Sequence, residues 1–302
     1  RSIALDAAGD IFVAGEFRNT CDFDPGAGTN NLTANNLDGF LVKLDAAGNF
    51  IWAKQIRGMN NSTGNYNQIL AIDIDVFGNI FATGRFYDLT DFDPGPGVFS
   101  LINGNQCFVL KLDNNGNFVW VKQLERNFNG FSIGTSIATD AAGNVYTMGT
   151  FFFSVDFDPS ANVFNMTSVG FQEVFMLKLD PAGNFVWAKQ VEGVPSGQNF
   201  SSSIKIDPAG DVIAYGTFEF TADFDPGPNN FHMTSVNGRD AFLLKLDNNG
   251  DFVWAKQIGD SQVGSILTQK GLALDAGGNI YTSGQFYGGN DFDPGPGVYF
   301  YS

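Results

Sequence analysis

Five copies of Asp-Phe-Asp-Pro supply the side chains of this sequence best suited to chemistry: Asp22 and Asp24, Asp91 and Asp93, Asp156 and Asp158, Asp223 and Asp225, Asp291 and Asp293. In an extended backbone, residues two apart point to the same side. Each pair could therefore present two converging carboxylates while the Phe between them turns into the fold. Calcium takes roughly six to eight oxygen ligands, and two carboxylates joined by backbone carbonyls and water could form a modest site. The spacing matches the opening of a D-x-D-x-D-G calcium loop without its third acid or its distal Glu. Glycine follows the proline in four copies and Ser160 replaces it in the third, so metal should bind worst there. These ten aspartates are the candidate metal ligands, and calcium is the one candidate cofactor.

Two metal-free readings stand beside that one. Lysines recur in pairs, at Lys43 and Lys54, Lys111 and Lys122, Lys178 and Lys189, Lys245 and Lys256. A strand lysine reaching a neighbouring D-F-D carboxylate would satisfy both charges. Alternatively the aspartates simply accept hydrogen bonds from loop N–H groups.

Catalysis has little to rest on. Glycoside hydrolysis needs a pair of acids placed across one bond, and acids that recur throughout a chain are scaffold. The turn sequence D-x-x-G-N-F-V-W is superficially like the S-x-D-x-G-x-T-W turns of some glycosidase propellers, but its Asp-to-Gly spacing differs by one. The five glutamates, Glu16, Glu125, Glu173, Glu192 and Glu219, are scattered with no Arg cluster near them, and His232 is a lone histidine in a polar segment. No catalytic residue is assigned. A binding alternative rests on G-x-F sites at Phe17, Phe86, Phe151, Phe218 and Phe286, whose rings could stack sugars as a multivalent lectin. Packing between sheets is the plainer use of those rings.

The elements that must position these residues follow from the turns. Asp-x-x-Gly occurs nine times, beginning at Asp6, Asp45, Asp75, Asp113, Asp140, Asp180, Asp207, Asp247 and Asp275, and Asn or Asp always follows the glycine. Asp suits the first position of a type I turn, and glycine takes the left-handed conformation that lets a short loop join antiparallel strands. Pro181 and Pro208 occupy the second turn position, where type I turns accept proline. The flanks alternate between two kinds of hairpin. One resembles FLVKLDAAGNFIWAKQ, from Phe40 to Gln55, and its tryptophans (Trp52, Trp120, Trp187, Trp254) recur at steps of 68, 67 and 67 residues. Such self-similarity marks a tandem structural repeat.

Two hairpins per repeat predict an all-β fold, a β-propeller of four-stranded antiparallel blades. The blades are expected at about 1–64, 65–129, 130–197 and 198–260, with a partial fifth at 261–302. About four and a half units leave an open end, so the sequence is expected to be a piece of a longer array, or one that assembles through its open blade ends.

Composition agrees with a large packed core. The chain is 43% hydrophobic and 15% aromatic, with 32 phenylalanines suited to filling space between sheets. No apolar run reaches the roughly 20 residues of a membrane-spanning helix, so membrane insertion is not expected. The net charge of −16 repels phosphate backbones and argues against nucleic acid and anionic membranes as partners. Cys21 and Cys107 leave open either a disulfide or two free thiols.

Segments such as DGFLVKLDAAGNFIWAKQIRG (Asp38 to Gly58) and GNIFATGRF (Gly78 to Phe86) resemble the bacterial seven-bladed SBBP β-propeller repeats. With the D-F-D-P-G loops, the chain also resembles secreted and cell-surface repeat proteins of Bacteroidetes exported by type IX secretion. The likeness covers essentially the whole sequence, although its repeat is longer than the usual unit by the acidic loop. It implies a location at the bacterial exterior and a C-terminal sorting domain that these 302 residues do not include. No common catalytic residues come with it. The expected function is a non-enzymatic, adhesive or structural scaffold, with other extracellular proteins or surface polysaccharide as partners.

Overall fold

The computed structural model describes residues 1–60, 66–259 and 264–301. Every regular element among them is a β-strand, and they contain no helix long and apolar enough to cross a membrane. The blade boundaries expected at Gly64/Asn65 and Asp260/Ser261 lie outside the described residues.

All nine Asp-x-x-Gly segments form the same turn. In Asp45-Ala46-Ala47-Gly48, the Gly48 N–H donates to the Asp45 carbonyl at 2.9 Å, and Asp45 N–H donates to the Asn49 carbonyl at 2.9 Å. The Asp45 Oδ1 accepts from the N–H groups of Ala47 and Asn49, at 2.9 and 2.8 Å. The glycines all have positive φ, between 74° for Gly116 and 89° for Gly210, a region costly for residues carrying a β-carbon.

These turns join strands into antiparallel blades. The first contains Ser2–Leu5, Ile11–Phe17, Asp38–Leu44 and Phe50–Gly58. The second contains Asn67–Ile74, Ile80–Asp91, Ser100–Leu112 and Phe118–Gln123. The third contains Glu125–Thr139, Val145–Asp156, Glu173–Leu179 and Phe185–Val191. The fourth contains Asn199–Ile206, Val212–Asp223, His232–Leu246 and Phe252–Ile258. A fifth hairpin pairs Gly264–Leu274 with Ile280–Gly288. The chain is thus an all-β propeller array of four-stranded antiparallel units.

Each pair of neighbouring blades shares one apolar cluster. Phe12, Leu41 and Ile56 meet Ile72, Ile80 and Leu110 between the first two blades. Phe81 and Val109 meet Val145 and Leu177 at the next interface, and Tyr146 and Met176 meet Ile204 and Leu244 at the third. Ile213 and Leu243 meet Ile266 and Leu272 at the fourth. The second, third and fourth sheets are therefore committed to neighbours on both faces, the arrangement that makes stability in repeat proteins a nearest-neighbour property.

Candidate functional site

The D-F-D-P loops bind their own backbone. The first aspartate accepts two N–H groups on one oxygen: Asp91 Oδ1 takes those of Asp93 and Phe99, at 3.1 and 2.9 Å. Asp22, Asp156, Asp223 and Asp291 do the same with the N–H groups of residues two and eight further on. In the second position, Asp24, Asp93, Asp225 and Asp293 accept from the following glycine N–H at 2.7 to 2.8 Å. Ser160 N–H donates to Asp158 at 2.9 Å, so the third loop closes like the others despite lacking the glycine. These donors hold the Asp22 carboxyl below its usual range, with Asn30 N–H the largest cause and Asp24 N–H next. Among the described residues no group of three His, Cys, Asp or Glu side chains comes together in a set that could hold a metal ion.

The loops also clamp neighbouring blades. Arg57 pairs antiparallel with Asp91 across the first interface. Glu125, where the chain passes from the second blade into the third, pairs with Asp156, and Glu192 exchanges backbone hydrogen bonds with Asp223 at 3.2 and 2.8 Å. Gly259 N–H donates to the Asp291 carbonyl at 2.8 Å. Two glutamates that look scattered along the chain thus occupy a recurring position directly against the loop. Polar grooves flank this clamp, one of about 360 Å³ lined by Lys54, Arg57, Asp91 and Asp93, another of about 430 Å³ lined by Lys189, Glu192, Asp223 and Asp225.

The Phe between the aspartates turns inward, as its spacing requires. Phe92 is fully buried, with ring centroids 5.2 Å from Phe86 and 5.0 Å from Phe108. Phe157 meets Phe151 and Phe175, Phe224 meets Phe218 and Phe242, and Phe23 meets Phe17 and Phe40 in the same way. This cluster corrects the lectin expectation for the G-x-F rings: Phe17, Phe86, Phe151 and Phe218 are buried in it and unavailable to a sugar, while Phe286 is 39% exposed beside Phe292.

The lysine reading is corrected too. No ion pair among the described residues joins a lysine to a D-F-D carboxylate. Lys43 pairs with Asp10 at 2.9 Å and Asp6 at 3.6 Å, and Lys245 with Asp207 at 2.7 Å and Asp211 at 2.9 Å. These are turn acids. Where the turn ends in Asn, that amide donates to the Asp instead, as Asn79 does to Asp75 and Asn144 to Asp140. The lysine then crosses to the next blade: Lys111 donates to the Pro181 carbonyl at 3.1 Å and Lys178 to the Asn248 carbonyl at 3.0 Å.

Cys21 and Cys107 are both free, which settles the open alternative against a disulfide. They sit in different blades, and burial pushes the Cys107 thiol up to about 12, far from a reactive thiolate.

A buried polar position escaped the sequence reading. Asp38, Gln106, Glu173 and Asp240, each two residues before a core Phe, are fully buried. Asp38 accepts from Asn35 N–H, Gly58 N–H and the Gln55 amide. Glu173 Oε1 accepts from the N–H groups of Val169, Gly170 and Gly193 at 2.9, 2.9 and 3.1 Å. Burial raises the Glu173 pKa, and those donors oppose the rise. Aligning the Trp hairpins on their core Phe exposes this position; scanning for motifs does not. Two further glutamates each find a single arginine, Glu219 with Arg239 at 2.7 Å and Glu16 with Arg1.

The tips of the second strands were missed as well. Two residues after each G-x-F phenylalanine the chain takes a left-handed bend, occupied by Asn19 (φ 59°), Asp88 (φ 71°), Phe153 (φ 57°), Phe220 (φ 62°) and Gly288 (φ 68°). Phe153 and Phe220 are 62% and 53% exposed. Ser168 and Ser235 accept the Phe153 and Phe220 N–H groups at 2.8 and 2.7 Å and hold those bends.

No protein-family model matches the chain. It is similar to an uncharacterized WD repeat-containing protein, L264, of Acanthamoeba polyphaga mimivirus, with 25% identity over 264 residues, covering 76% of this chain. The chain spans 18% of that relative's length. WD repeats form four-stranded propeller blades, in agreement with the sheets described above. A crystal structure of a protein of unknown function from Bacteroides caccae aligns over 85% of this chain and 80% of its own, at 12% identity and a TM-score of 0.34.

Proposed function

We propose that the chain is a non-catalytic interaction scaffold of the cell exterior, binding other extracellular proteins or surface polysaccharide. One observation carries this reading: the recurring acids bond to their own loops and the recurring rings pack into the core, whereas the left-handed tip changes from blade to blade through Asn19, Asp88, Phe153, Phe220 and Gly288, with the Phe153 and Phe220 rings exposed. A uniform interior with varied tips suits a platform for partners. The same loop acids recur in the grooves of successive blades, as scaffold acids do, which supports the non-enzymatic part, and the acidic surface suits the exterior.

An antibody to the chain should label intact source cells or their medium. Signal only after lysis would overturn the exterior assignment. Purified chain should turn over none of a panel of chromogenic glycosides, esters and peptides. Turnover lost on Glu192→Gln would overturn the non-catalytic one.

A further inference from the structure

The tip of the third blade carries a row of aromatic rings. Phe131 and Phe152 have centroids 5.2 Å apart, and Phe171 meets Phe152 edge-on at 5.3 Å. Phe171 is 64% exposed and is fixed by its N–H donating to the Gly197 carbonyl at 3.0 Å. Phe131, Phe152 and Phe153 line an open groove of about 490 Å³ together with Asn105 and Gln172. The row continues into the second blade, where Tyr66 donates from its hydroxyl to Asn105 at 2.7 Å and stacks on Tyr87 at 5.4 Å. It continues into the fourth, where the Arg239 guanidinium lies 4.0 Å from the Phe200 ring and Phe220 stands exposed.

Three features define what fits. A phenylalanine held at positive φ with its ring in water is costly, by about 1–3 kcal/mol, and the core gains nothing from it, since the same bend elsewhere accepts Asn19 or Asp88. None of the residues lining the groove is ionisable, and Arg239 beside it is neutralised by Glu219. The chain as a whole, at −16, repels polyanions. Flat apolar rings flanked by amides match sugar rings, whose C–H faces stack and whose hydroxyls bond to Asn and Gln.

The geometry points to a binding shelf for neutral polysaccharide on the third blade, centred on Phe131, Phe152, Phe153 and Phe171 and extended by the neighbouring tips. It rests on the scaffold reading and gives that scaffold a ligand class. Aromatics at successive tips would engage one polymer at several points, so weak individual contacts add through effective concentration.

The test is native affinity electrophoresis in gels cast with soluble β-glucan, xyloglucan, galactomannan or xylan, with alginate as the anionic comparison and zwitterionic phospholipid vesicles as the lipid comparison. At least one neutral polysaccharide should retard the chain, and alginate and vesicles should not. Phe153→Asn installs the residue that the first blade already carries at this bend, so the melting temperature should hold or rise while retardation weakens about tenfold. Phe171→Ala should weaken it similarly. Free passage through every neutral gel, retardation unchanged in both variants, or binding to vesicles or alginate alone would overturn the proposal. Labelling of intact cells reads the scaffold assignment separately, so either can fail without the other.

Discussion

Gly183, in a turn of the third blade, rests on the indole of Trp120 from the second. A β-carbon built on it would lie 3.1 Å from Cε2 of Trp120 and 2.7 Å from Cε of Lys122. Trp120 also donates from Nε1 to the carbonyl of Pro181, in the same turn, at 3.3 Å. Gly116 sits likewise on Trp52, and Gly250 on Trp187. The glycine therefore serves its own hairpin through φ and the preceding blade through its missing side chain.

Gly183→Ala and Gly48→Ala separate those two roles. Both positions have φ near +83°, but nothing lies within 4 Å of a β-carbon at Gly48. Each substitution should cost about 1–2 kcal/mol for the left-handed conformation. Gly183→Ala should cost about 1–3 kcal/mol more, as overpacking against the indole. Urea unfolding followed by tryptophan fluorescence reads the difference, and equal losses would refute the inter-blade role.

The D-F-D-P loop should depend on its acceptor oxygen and its ring. Asp91→Asn keeps an Oδ1 for the N–H groups of Asp93 and Phe99 and should be nearly neutral, whereas Asp91→Ala should cost about 1–2 kcal/mol. Phe92→Ala, which empties the centre of a buried cluster, should cost about 3–5 kcal/mol. Differential scanning calorimetry ranks the three variants, and an Asn variant as damaging as the Ala variant would show that charge matters more than the bond.

Calcium tests the same loops from another side. Because the first-position Oδ1 atoms already accept two N–H groups each, loop closure needs no cation. The melting temperature should be the same in millimolar calcium and in excess chelator. A rise with calcium that Asp91→Asn with Asp93→Asn diminishes would instead make these aspartates ligands.

Two groups of acids should respond to pH in opposite windows. Asp45 and Asp275 titrate below their usual 3.8, chiefly through the side-chain amides of Asn49 and Asn279. A depressed folded pKa gives stability that is present above the unfolded value and lost as pH falls through the folded one, so the hairpins should weaken in acid. Glu173 is raised above its usual 4.5 by burial. Its contribution is complete below 4.5 and is lost as pH rises through the raised value. Glu173→Gln, the type of residue the second blade has at Gln106, should flatten the decline in melting temperature as pH rises beyond 4.5 and leave the acid limb unchanged. A mutant profile parallel to wild type would remove Glu173 as the cause.

Much of the architecture was legible because it is local. The bonds from Asp45 to Ala47, Gly48 and Asn49 span at most four residues, so the Asp-x-x-Gly pattern carries its own geometry. The inward Phe of D-F-D-P was equally legible from strand alternation. Lysine partners were not, because Lys43 stays within its blade and Lys111 leaves it according to whether Asp10 or Asn79 closes a turn on another strand. Nor was the exposure of Phe153 beside the burial of Phe151, since a bend breaks the alternation between them.

The sequence by itself determined where the chain reverses, which hairpins recur and that antiparallel blades follow one another, since each depends on turn residues a few positions apart. Tertiary structure alone decided that the loop aspartates sit against the preceding blade, that Trp120 finds a carbonyl 61 residues away, and which rings remain in water. Those outcomes depend on how one sheet lands on the next. Surface burial and inter-blade hydrogen bonds come into being only when the two sheets are packed.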